Sequence, residues 1–463
     1  MTLSSYAELR RADAATAERI ARSAAATEGV LSTTEVDAWL AERREADALS
    51  LQRIPFSALR SWHVDEATGD LRHDSGRFFQ VHGLAVEFPG SAVPRWTQPI
   101  INQPEIGILG ILVQEFDGVL HFLMQAKNEP GNSSGIQLSP TVQATRSNYT
   151  RVHQGRAVPY VDYFREPGEH RVLADVLQSE QGSWFYRKRN RNIVVQLAAG
   201  HEAEPHAAFR WLTLGQIHRL LAADDVVNMD TRTVLSCLPF ATDEPGTSSL
   251  HPPGEVLSWI TDARSRTEIT ARPVPLSGIP GWVRDDAEIR HETGAFFRVV
   301  AVDARSKHRE VGGWTQPMIE PAGLGVVAFL LTRFDGVPHV LVHARVEPGY
   351  LDLVELAPTV QCRPENYQVL SSAARPAFLD EVLGAPPERI LFESLLSEEG
   401  GRFLDSLNRY LIVEVPPAAI PAPGPDHRWL TVPQLVGLLR HSHYLNVQAR
   451  SLVSCLHSLG DLG

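Results

Sequence analysis

Cysteine is nearly absent from this chain, with three residues, Cys237, Cys362 and Cys455, among 463. They show no C-x-x-C or related metal-ligand spacing, and so small an odd number argues against a disulfide framework. A reducing cytoplasm is the expected compartment. Positive charge is also short: 43 Lys and Arg stand against 55 Asp and Glu, for a net charge of -12. That balance excludes a general attraction to nucleic acid or to an anionic membrane, so any phosphate must be recognised locally. Long apolar runs are missing as well. The N-terminus, MTLSSYAELRRADAATAERIARSAAATEGV, is charged and Ala-rich without the apolar core of a signal peptide, and no later stretch is long enough to span a bilayer.

What the chain does have is a repeat. Trp96-Thr97-Gln98-Pro99 returns as Trp314-Thr315-Gln316-Pro317, an offset of 314 − 96 = 218. The same offset carries Phe116-Asp117-Gly118-Val119 to Phe334-Asp335-Gly336-Val337, Glu129-Pro130-Gly131 to Glu347-Pro348-Gly349, and Pro140-Thr141-Val142-Gln143 to Pro358-Thr359-Val360-Gln361. It also relates Asn148-Tyr149 to Asn366-Tyr367, Trp211-Leu212-Thr213 to Trp429-Leu430-Thr431, and Ser236-Cys237-Leu238 to Ser454-Cys455-Leu456. Upstream the register slips, since Trp62 pairs with Trp282 at an offset of 220.

A period this long makes each copy a self-contained domain and not a stacking unit. The expected division is a helical arm over 1–50, a first repeat over 51–241, a linker over 242–256 rich in Pro, Gly and Ser, and a second repeat over 257–463. The arm shows no clear counterpart in the second copy, and packing or dimerisation is its expected role.

Within each copy, two apolar runs meet at Asp117-Gly118 or Asp335-Gly336, a strong hairpin signal because both residue types tolerate positive φ. After Trp211, Thr213 is placed to cap a helix through Leu214, Ile217, Leu220 and Leu221, and a second helix is expected from about Asp230. Strands followed by helices give an α+β class.

The polar block from Gln125 to His153 mixes amides, hydroxyls and titratable groups in a density suited to a polyhydroxylated ligand. The same residues also fit a long loop whose side chains bond their own turns. Recurrence of the block as Glu347 to Tyr367 favours a common pocket, because a free loop would have drifted.

The strings W-T-Q-P, Q-A-K-N-E-P-G-N and Q-L-S-P-T-V-Q-A-T-x-S-N-Y-T-R-V-H in copy one resemble the nucleotide-diphosphate-hexose 2,3-dehydratases of deoxysugar and antibiotic biosynthesis. E-L-A-P-T-V-Q, S-E-E-G-G-R-F and N-R-Y-L-I-V-E carry the likeness through copy two, which covers the chain from about Ile54 to its end. The resemblance implies two Nudix-like units, a homodimer, and a dTDP-linked 4-keto-6-deoxyhexose as substrate. It implies loss of water across C2 and C3, with a 3-ketoreductase as the functional partner downstream, and neither a redox cofactor nor an obligatory metal. The C4 ketone acidifies the C3 proton, and the resulting enolate expels the C2 hydroxyl. That chemistry asks for a base near C3, donors facing the C4 oxygen and an acid for the departing hydroxyl.

Candidates for these roles are Lys127, Glu129, Tyr149 and His153; in copy two Lys127 and His153 become Arg345 and Ser371. Copy one is therefore the expected site of chemistry. His153 titrates near neutrality, Tyr149 is a hydroxyl donor, Glu129 fits either catalysis or a Pro-Gly turn, and Lys127 suits a phosphate or an oxyanion. Substrate contacts are expected from Asn132, Gln137, Thr141, Gln143, Thr145, Asn148, Arg151, Arg187 and Asn190, with the diphosphate on the arginines. Trp96 with Gln98, and Trp314 with Gln316, are the stacking candidates. Glu355, Thr359, Gln361, Asn366, Tyr367 and Arg402 form the matching set in copy two.

Two rivals remain open at this point. A metal-dependent diphosphate hydrolase needs a helical R-E-x-x-E-E cluster; the nearest segments, Ser179 to Phe185 and Ser397 to Phe403, lack it. A non-catalytic sugar-nucleotide-binding partner of a ketoreductase would use the same polar block.

Overall fold

The computed structural model describes residues 14–146, 157–240, 249–306, 312–420 and 422–460. Two α+β halves repeat one element order, each with a seven-stranded mixed sheet and a smaller antiparallel sheet. In the first half the large sheet runs Arg171–Ser179, Arg189–Gln196, Gly107–Phe116, Val119–Asn128 and Phe209–Thr213, with the short strands Ile136–Ser139 and Val142–Ala144 paired off this path. Arg189–Gln196 and Gly107–Phe116 are parallel neighbours. The second half reproduces the order with Ile390–Ser397, Leu407–Glu414, Gly325–Phe334, Val337–Val346 and His427–Thr431.

The local signals act as the sequence predicts. Asp117 and Gly118 take φ of 48° and 77°, and Asp335 and Gly336 take 49° and 82°, the doubly left-handed turn that matches strand twist. Thr213 caps Leu214–Leu221 in a reciprocal box with Gln216, and Thr431 does the same with Gln434. The next helix is Met229–Leu235, capped by Asn228, so it starts one residue before the expected Asp230.

The N-terminal arm differs from expectation in one respect. Its helices, Ala14–Ala25 and Thr33–Ala46, pack Ile20, Val36, Trp39 and Leu40 into the core of the first half. The second of them has a counterpart, Pro253–Arg266, of equal length and offset by 220 residues. That helix begins inside the stretch expected to be linker. The pairing escapes sequence comparison because a surface helix is specified by its apolar stripe, here Val36, Trp39 and Leu40 against Val256, Trp259 and Ile260, and not by its polar residues.

The halves are interlocked by exchanged strands. Leu49–Ile54, from the first half, pairs antiparallel with Phe297–Ser306 of the second, from Leu49 opposite Ser306 to Ile54 opposite Ala301. Its repeat mate Thr270–Val274 pairs with Gln80–Glu87 of the first half, from Thr270 opposite Glu87 to Val274 opposite Gly83. Each small sheet is thus completed by a strand of the other half.

Candidate active site

The repeated Glu-Pro-Gly turns are where the halves lock together. Gly131 has φ of 93°, and a β-carbon there would lie 2.0 Å from the Phe403 carbonyl oxygen, so only glycine fits. Pro130 and Gly131 accept hydrogen bonds from the Gly401 and Asp405 amides at 2.7 and 3.0 Å. In mirror image, a β-carbon on Gly349 would lie 1.9 Å from the Phe185 carbonyl oxygen, and Gly349 accepts from the Arg187 amide at 2.8 Å. The loop around Glu398 to Phe403 is thereby pressed onto the first half's polar block.

A cavity of about 830 Å³ lies at that junction. The first half lines it with Lys127, Glu129, Thr141, Gln143, Thr145, Lys188, Asn190 and Asp230; the second contributes Trp314, Gln316, Glu399 and Arg402. Arg60, Trp62, Phe78 and Phe79 belong to the same wall. The volume falls within the range of small-molecule sites, and the lining mixes aromatic faces with convergent polar groups.

Lys127 and Glu129 form an ion pair at 3.1 Å, and the Gln143 amide donates to the other Glu129 oxygen at 2.8 Å. Asn228, the helix cap, donates in turn to Ser139 at 3.0 Å and Gln143 at 3.3 Å. Arg402 stacks 4.3 Å above the Phe79 ring centre and donates to Gln103 at 3.0 Å. Trp314 donates its indole N–H to Gln316 at 2.8 Å, and Gln316 donates to the Gly401 carbonyl at 2.6 Å, so the tryptophan is held at the cavity by its own motif.

Burial sets unusual proton affinities here. The Glu399 carboxyl is pushed up to about 8 by desolvation, reinforced by Glu180 and opposed by Arg402 and Lys188. Asp230 is held well above the usual carboxylate range by burial and then by Glu399, Glu180 and Glu129. Lys188 is pulled down to about 8 by burial, against the attraction of Glu399 and Glu180. Its ammonium donates to the Glu105 carbonyl.

Several expected contacts fall elsewhere. Tyr149, His153, Asn148 and Arg151 lie outside the described residues. Arg187 is exposed, does not line the cavity and sits 5.1 Å from the Tyr186 ring centre; the neighbouring Lys188 is the cation that turns inward. Trp96 and Gln98 bond each other at 2.9 Å and do not line the cavity; Trp96 packs beside Leu84, Val86 and Ile100. Gln137 is buried against Ser397 and Asp225, and Asn132 bonds the Gly135 carbonyl. Thr141 accepts from the Leu112 amide and donates to the Leu123 carbonyl, pinning two strands while facing the cavity. Lys188 was among the cations the sequence offered for a diphosphate, whereas Asp230, Glu399 and Gln103 were not signalled, because each differs from its repeat mate, Gln448, Gln181 and Pro321.

In the second half the corresponding space is filled. Arg345 pairs with Glu347 at 2.7 Å, and Gln361 donates to Glu347 at 3.2 Å. Tyr350, standing where the first half has Asn132, is buried and accepts from Asn446 at 3.1 Å. Arg363, in place of Thr145, donates to Ser406 at 3.2 Å and Asn408 at 3.3 Å. Glu355 accepts from Ser179 at 2.5 Å, Thr359 from the Leu330 amide at 3.0 Å, and Asn366 from the Phe296 amide at 3.0 Å. Tyr367 packs half-buried beside Cys362. Five of the six expected binders are thus held in hydrogen bonds or packing within the fold, and the sixth, Arg402, reaches the first half's cavity.

Comparison with known proteins places this site in context. A family model described as NDP-hexose 2,3-dehydratase matches residues 33–238 and 253–456, one segment per half. A dTDP-4-dehydro-6-deoxy-alpha-D-glucopyranose 2,3-dehydratase of Saccharopolyspora spinosa is 52% identical over 95% of this chain and 94% of its own. Proteins of the same description from Amycolatopsis orientalis and Streptomyces violaceoruber are 52% and 48% identical, covering 96% and 94% of this chain and 94% and 99% of theirs.

Proposed function

Since the chain belongs to the NDP-hexose 2,3-dehydratase family, we propose that the cavity between its halves is where a dTDP-4-keto-6-deoxyhexose loses water across C2 and C3. The product is a 3,4-diketo-2,6-dideoxy sugar nucleotide. The observation that carries this assignment is the convergence, in one cavity, of the Lys127–Glu129 pair, the cations Lys188 and Arg402, and two buried carboxyls, Asp230 and Glu399, whose proton affinity burial raises.

Elimination next to a ketone proceeds by removal of the acidified C3 proton and departure of the C2 hydroxyl. Glu129, oriented by Lys127 and Gln143, suits the first task; cationic and amide donors stabilise the enolate oxygen. Trp314 offers a face for the nucleotide base, with Arg402 and Arg60 as cations for the diphosphate. Tyr149 and His153 stay candidates for proton transfer from the adjoining segment.

The second half is read as the scaffold of this site, because Tyr350, Arg345 and Arg363 occupy the matching space. Each half is read as Nudix-like, supported by its mixed sheet with one parallel pair and a flanking helix after the last strand. A homodimer and transfer of the reactive diketone to a 3-ketoreductase complete the reading.

Incubation with dTDP-4-keto-6-deoxyglucose, followed by NMR, should show loss of the C3 hydrogen, a new C2 methylene and maltol-type breakdown products. Tight binding of unchanged substrate would instead support the non-catalytic partner.

A further inference from the structure

The two halves differ in the side chains that surround one shared buried glutamate, Glu180 or Glu398. In the second half, Glu398 is buried and accepts hydrogen bonds from two amides, Gln181 at 2.5 Å and Gln448 at 3.3 Å, while Asn408 and Tyr410 donate to its other oxygen. The repeat mate of Glu398 is Glu180. The mates of Gln448 and Gln181 are Asp230 and Glu399. Where the second half places a carboxylate between two amides, the first half places a carboxyl among two more carboxyls.

The consequence is visible in the hydrogen bonding. Among the described residues neither oxygen of Asp230 meets a donor, and one oxygen each of Glu180 and Glu399 is likewise buried without one. Asp230 is 1% exposed and lines the cavity, as does Glu399; Glu180 stands behind them, tied to Asn190 at 2.7 Å. Three buried carboxyls cannot all ionise, since like charges in a desolvated site raise one another's proton affinity. Glu129 adds further negative charge, while Lys127 faces Asp230, and Lys188 and Arg402 face Glu399. An arrangement that leaves Asp230 unsatisfied in the fold suits a group whose partner is the substrate.

We infer that Asp230, with Glu399 and Glu180 as its proton-sharing neighbours, is the acid that protonates the departing C2 hydroxyl. The inference rests on the dehydratase reading. A base takes the C3 proton, and its electron pair forms the enolate with C4. The C2–O bond then breaks as the Asp230 proton passes to that oxygen, and water leaves. The resulting C2=C3 enol takes a proton at C2 from the conjugate acid of the base, while its 3-hydroxyl proton returns to the Asp230 carboxylate. Both protein groups are restored, and the net change is loss of one water.

The test separates the two proton transfers. In D2O, Asp230→Asn should lower turnover by roughly 100-fold or more, keep its affinity for thymidine diphosphate, and still exchange the substrate's C3 hydrogen for deuterium. Turnover within a few-fold of wild type, or joint loss of exchange and turnover, would overturn the assignment. Asp230→Gln combined with Glu399→Gln rebuilds the second half's own arrangement, so it should melt close to wild type while remaining inactive. A collapse in its Tm would mean that these carboxyls hold the fold, and would overturn the inference equally. Failure of the wild type itself to release water would refute the dehydratase reading, irrespective of the variants.

Discussion

Arg232 and Arg450 are each other's image across the junction of the two halves, and both are completely buried. Arg232 donates to the carbonyls of Val227 and, in the other half, Ser397, each at 2.6 Å; Arg450 donates to Leu445 at 2.7 Å and Ser179 at 2.5 Å. Their Nε atoms reach Ser451 and Thr233, which are themselves repeat mates. Each guanidinium thus clamps the strand end that leads into Glu398 or Glu180.

Replacing either arginine by leucine leaves two buried carbonyls without donors at a junction the fold depends on. Each substitution should lower stability by about 3 kcal/mol, measured by urea denaturation. Both should also reduce turnover, since Ser179 leads into Glu180 behind the cavity and Ser397 leads through Glu398 to Glu399 on its wall.

Gly131→Ala places a β-carbon against the Phe403 carbonyl and forces a non-glycine residue into positive φ. A loss of at least about 2 kcal/mol is expected, with activity falling as the loop bearing Glu399 and Arg402 is displaced. Gly90, which also has positive φ but open space around it, is the control: its alanine variant should show the smaller strain cost alone.

Trp314→Ala and Trp96→Ala distinguish the two copies of one motif. Loss of a stacking face should raise KM roughly tenfold for Trp314, whereas Trp96 lies away from the cavity and its variant should alter stability without a comparable change in KM.

The pH dependence of stability has a definite sign at Glu399. Its carboxyl rises from 4.5 to about 8 on folding, so between those values the unfolded chain ionises while the folded one stays protonated. Stability from this group is complete below about 4.5 and is lost as pH rises towards 8. Lys188 works oppositely at higher pH: its folded value of about 8 lies below the usual 10.5, so stability is regained across that interval. Glu399→Gln should therefore gain stability on wild type steadily from pH 5 to pH 8, as followed by chemical denaturation at each pH.

Much of the fold was legible because the turns and caps are local. Asp117-Gly118, Thr213 with Gln216, and their repeats specify conformation within a few residues. The shared strings were legible as a pattern, although their meaning was partly different from a pocket built twice. Glu-Pro-Gly recurs because both glycines meet the opposite half, and Trp-Thr-Gln-Pro recurs because each glutamine holds a loop carbonyl of its own half, Ser183 or Gly401. The chemistry was hidden by the same logic. Asp230 and Glu399 are 169 positions apart by number and are distinguished by differing from their mates, so a search for shared residues passes over them.

The exchanged strands Leu49–Ile54 and Thr270–Val274 give this chain the form of a two-fold dimer made continuous by one peptide connection. Two identical subunits cannot specialise, because any substitution appears on both sides of the axis. Joining them removes that constraint: one side became free to fill its chamber with Tyr350 and Arg363 and to lend its loop to the other. The swapped strands also make the division of labour irreversible, since neither half carries a complete small sheet if the chain is cut between them.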